Sequence, residues 1–110
     1  MSFDYTAIIA AVWQGVEPLL ANVTDKGKDL ARAELTQFAA RAETYIASFL
    51  TGKPYSLDES KLWLQDEIDH ARGVLGTVQE IGWITAEQVA AKQGEIMLDI
   101  LAAIPKALGL

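Results

Sequence analysis

A chain of 110 residues can build one hydrophobic core but not two. With no cysteine, it has no disulfide scaffold, thiolate ligand or cysteine nucleophile. A net charge of −6 with no basic stripe argues against nucleic-acid binding and against an anionic membrane surface as partner.

Half the residues are apolar (51%), and the mean hydropathy is positive. In so small a domain the apolar excess must lie outside or be covered by a partner. An alanine-rich bundle that inflates the count without needing more core is the alternative. The acids are unevenly spread: from Asp66 onward there are seven against Arg72, Lys92 and Lys106.

The first segment (1–23) places Ile8, Ile9, Val12, Val16, Leu19, Leu20 and Val23 at helical spacing. A proline inside a helix removes a hydrogen bond and costs about 3 kcal/mol. A break near Gln14-Gly15 is therefore expected, with Pro18 in the first turn of the next element; a kinked single helix is the alternative. Gln14, Gly15, Glu17, Pro18 and Asn22 interrupt the apolar run, so no membrane span is expected. The N-terminus lacks the basic stretch of a signal peptide and carries Asp4 instead.

A second segment spans 25–51, capped by Asn22 or Thr24. Its seam is Leu35, Phe38, Ala42, Tyr45 and Phe49, alternating by three and four. Gly52 and Pro54 end it. A third segment spans 57–82, opened by the capping box Ser56…Glu59 and closed by Gly82. Its seam is Leu64, Ile68, Ala71, Leu75 and Val78. The fourth, 86–108, opens with Thr85…Gln88, carries Val89, Ile96, Ile100, Ile104 and Leu108, and kinks or frays at Pro105. Short links between such helices require antiparallel neighbours. The expected fold is all-α: one domain, 1–110, an antiparallel up-down helical bundle of three long helices plus an N-terminal helical segment.

Chemistry is sparse. Asp66-Glu67-Ile68-Asp69-His70-Ala71 places Glu67 and His70 three apart on one helix face. This six-residue string resembles the corresponding stretch of some ferritin-like di-iron proteins. The resemblance implies that Glu67 and His70 present a carboxylate and an imidazole to metal in a bundle core. The full site needs two such pairs and two further carboxylates, whereas this chain has one histidine. A two-fold dimer would supply the second pair, with Glu34 or Glu43 as bridging acid. The competing reading is a solvated acidic face with an Asp69–Arg72 pair, and no cofactor. No Gly-x-Ser-x-Gly elbow or phosphate loop occurs, so no enzymatic activity is expected.

Gly73 and Gly76 lie off the seam, and each costs about 1 kcal/mol against alanine in a helix interior. Either another backbone approaches there, the helix bends, or the glycines are tolerated. Trp63, assigned to the same outer side, makes a plausible interface anchor. The run Ile96 to Ile104 is apolar nearly all round, which is the pattern of a helix buried on several faces. Ala90 and Gly94, four apart, let a neighbouring helix come close. The expected interface is therefore Trp63, Gly73, Gly76, Ala90, Gly94, Ile96, Met97, Ile100, Leu101 and Ile104.

These features point to a non-enzymatic structural, assembly or adaptor protein, cytoplasmic or a virion or phage component, that self-associates or docks into a larger complex. One alternative is an acidic inhibitor offering Asp66, Glu67, Asp69 and Glu80 to a basic partner. The other is a metal-binding dimer using Glu67 and His70.

Overall fold

The structure, a computed structural model, describes residues 4–109; Met1–Phe3 and Leu110, inside the expected domain, lie outside the described residues. Helix α1 runs Tyr5–Val16 and is followed by a 3-10 turn, Glu17–Leu20. Helices α2 (Asp25–Leu50), α3 (Leu57–Gly76) and α4 (Trp83–Ala102) come next, then a single turn, α5 (Ile104–Ala107). Each of the first four helices packs on two others, α1 on α2 and α4, and α3 on α2 and α4, which closes a four-helix bundle. The pairing of α3 with α4 is the most extensive. The bundle is 43 Å long, close to the roughly 39 Å of the 26-residue α2.

Local chemistry explains most boundaries. Asp4 accepts a hydrogen bond from the Ala7 N–H, Thr24 from Gly27 and Ser56 from Glu59, so three helix starts are capped by side chains. Gly52 has φ +119°, and the following Lys53 N–H donates to the Ser48 carbonyl, a Schellman closure of α2.

Three boundaries differ from expectation. Helix α1 passes through Gln14-Gly15 and breaks at Glu17, with Pro18 in the first turn of the 3-10 segment. At Gly15 the Ile96 side chain of α4 fills the space of a Cβ, which would sit 2.4 Å from Ile96 Cδ1. Helix α3 stops at Gly76 rather than at 82. The two glycines weaken its last turns, and the Thr77 hydroxyl donates back to the Val74 carbonyl. Helix α4 then starts at Trp83, with Gly82 (φ +80°) as its N-cap and the Gly82 carbonyl accepting from Ala86. The Thr85…Gln88 box is not the start. At the other end Pro105 separates α5 from α4.

The α2 seam is as expected: Leu35, Phe38, Ala42 and Phe49 are buried, with Tyr45 at its margin. In the last helical region Val89 and Ile104 are buried as expected, but Met97 and Leu101 join them at the core centre, while Ile96 and Ile100 are half-buried toward its edge. Among the described residues no helix is long and apolar enough to cross a membrane.

Candidate functional site

The titratable cluster expected from the sequence lies between α2 and α3. Glu34 and Arg41 are seven residues apart, hence on one face of α2. Glu67 and His70 face them from α3. Arg41 Nε donates to both Glu67 oxygens, at 3.2 and 2.9 Å, and Arg41 Nη2 is 2.8 Å from Oε2. The same guanidinium lies 3.5 Å from Glu34 Oε1, and His70 Nε2 lies 4.0 Å from that oxygen. Glu34 is only 5% exposed, and its Oε1 accepts no aligned hydrogen bond among the described residues. The hydrogen bond to Glu67 raises the Arg41 pKa, against partial burial, which lowers it; attraction by Glu67 and Glu34 adds to the rise. One permanently charged guanidinium is thus shared by two carboxylates.

The carboxylate of Glu67, expected to face metal, is turned instead to the Arg41 guanidinium. Glu43 lies elsewhere: its carboxylate accepts from the Tyr5 N–H and ties the start of α1 to α2. Among the described residues no three acidic or histidine side chains gather as metal ligands. Of the four carboxylates expected to form an acidic patch, Glu67 pairs with Arg41, Asp69 with Arg72 at 2.8 Å, and Glu80 with Lys26 at 3.5 Å across to α2, while Asp66 is exposed.

The expected interface is mostly interior. Ala90, Gly94, Met97, Leu101 and Ile104 are buried within the chain, and Ile96 and Ile100 are half-buried. Trp63 is not an outer anchor. It stacks on Tyr45 with ring centroids 4.3 Å apart, beside Phe38, in an aromatic cluster that continues through Phe49 to Tyr55. The Tyr55 hydroxyl closes that end by donating to the Leu101 carbonyl at 2.8 Å. Gly76 is floored by the Trp83 ring, and Gly94 by Ile68, whose Cδ1 would lie 2.3 Å from an added Cβ. Gly73 alone of the set is openly exposed, with nothing within 4 Å.

What sequence reasoning misses is the outer side of the α3–α4 hairpin. Ile84 is 74% exposed and Trp83 54%. A groove of about 430 Å³ runs between the two helices, floored by Leu64, Ile68, Ala91, Gly94 and Leu98 and rimmed by Lys61 and Glu95. The signal is present: Ile84, Ala91 and Leu98 are spaced by seven. Starting helix four at 86 hides it. No protein-family model, curated protein or solved structure matches this chain.

Proposed function

We propose that this is a non-enzymatic assembly or adaptor protein, a component of a larger complex such as a particle, that works by docking the outer face of α4 and the adjoining α3–α4 groove. The observation that carries the reading is the exposure of Trp83 and Ile84, consecutive at the start of α4, one of the two helices that form the apolar groove. Large apolar side chains held at the surface next to one another favour association with a protein surface. The polar cluster supports the same reading in a different way. Its arginine is spent joining α2 to α3, so its chemistry is structural.

Site-specific photo-crosslinking in the cells that make the protein tests this. A photoreactive residue at position 84 is expected to form adducts, and one at the exposed Thr36 of α2 is not. Equal labelling at both positions, or none at 84, contradicts the assignment.

A further inference from the structure

Resting on that docking role, we infer that the occupant of the α3–α4 groove is a second copy of this chain, the two protomers meeting groove to groove about a two-fold axis along the helices. Helix α4 carries two seams. The inner one, Ala86, Val89, Gln93, Met97 and Leu101, is buried inside the bundle. The outer one is Ile84, Ala91 and Leu98, spaced by seven. At roughly 100° per residue these positions share one stripe. Gly94 meets Ile68, and Leu98 lines the groove with Leu64, so the stripe faces the α3 side. A heptad stripe is the pattern of a helix lying nearly parallel to another, and the small exposed side chain of Ala91 lets that helix come close.

Charge selects the occupant. The α3 rim carries Lys61 and Arg72, eleven residues apart and so on the same face. The α4 rim carries Glu95, and Glu87 lies about two turns nearer the start of that helix. A hairpin positive on one rim and negative on the other complements itself when a two-fold lays α3 of one protomer over α4 of the next. Ile68 is level with Gly94 in the antiparallel hairpin. The same register brings Arg72 within a turn of the partner's Glu87. Among the described residues Lys61 joins none of the ion pairs within the chain. The pairs Arg72–Asp69 and Lys92–Glu95 are exposed neighbours on one helix, too weak to hold these rims back.

Sedimentation velocity of the full chain, from low micromolar to near-millimolar concentration at physiological salt, tests the inference. The mass is expected to rise from 12.0 kDa to twice that value. Ala91→Glu, at an exposed position, is expected to hold the protein monomeric with an unchanged helical circular dichroism spectrum. Arg72→Glu is expected to weaken the dimer roughly tenfold, because each rim pair occurs twice across a two-fold, and adding Glu87→Arg to it restores the dimer. A monomer at every concentration overturns the second copy as occupant, while cross-linking at position 84 still decides the docking role. A dimer indifferent to Ala91→Glu, or one not restored by the charge exchange, overturns the groove as its interface.

Discussion

Replacing Arg41 and replacing Glu34 are expected to have unequal consequences, although the two groups lie 3.5 Å apart. Arg41→Ala leaves two largely buried carboxylates, Glu34 and Glu67, without a counter-charge. Breaking a fully buried pair costs more, but Arg41 is partly solvated, so a loss of about 2 kcal/mol in urea denaturation is expected. Glu34→Gln removes a buried charge whose Oε1 accepts no aligned hydrogen bond, and is expected to be neutral to within about 0.5 kcal/mol or stabilising. Tyr55 supplies a pH signature. Burial first, and Tyr45 second, push its phenol above the ordinary value of 10.0. The folded state therefore holds that proton more tightly than the unfolded chain does. The stability this contributes is present below pH 10.0 and is lost as pH rises through the raised value. Tyr55→Phe is expected to flatten the alkaline fall in melting temperature and to cost about 1 kcal/mol at neutral pH, through the lost bond to the Leu101 carbonyl.

Helices and caps are legible where side chains act on their own neighbours. Thr24 and Ser56 as caps, Gly52 as the closing residue and Pro18 and Pro105 as interruptions all act within one turn, and the structure keeps each in that role. The end of α3 is not legible, because the competing signals come from outside the helix. Gly76 gives up helix propensity to make room for the indole of Trp83, a residue that sequence periodicity assigns to a loop. Glu67 falls beside the seam, but its partner Arg41 is 26 residues away on another helix, beyond any local pattern. The open and the filled glycine positions separate by experiment. Gly73→Ala meets open space in a helical position and is expected to stabilise by about 1 kcal/mol. Gly94→Ala places a Cβ 2.3 Å from Ile68 Cδ1 and 2.7 Å from its Cγ1, and is expected to destabilise by about 1 kcal/mol after the helix gain is counted. Thermal melts of the two variants, shifted in opposite directions, check both.

At the scale of the whole molecule, the apolar excess divides into two parts with different fates. The chain covers the inner seam of α4 itself: α1 reaches it where Gly15 admits Ile96, and α3 where Gly94 admits Ile68. The expectation that Met97, Leu101 and Ile104 need another molecule is therefore overturned, while Ile84 and Ala91 on the opposite side stay exposed among the described residues. A sequence without cysteine makes this division directly measurable by thiol labelling. With Met97→Cys and Ala91→Cys prepared separately, the thiol at 97 is expected to stay unreactive toward maleimide at every protein concentration. The thiol at 91 is expected to react freely in dilute solution and to become protected as concentration rises. Rapid labelling at 97 in dilute protein, or labelling at 91 that ignores concentration, would contradict the account.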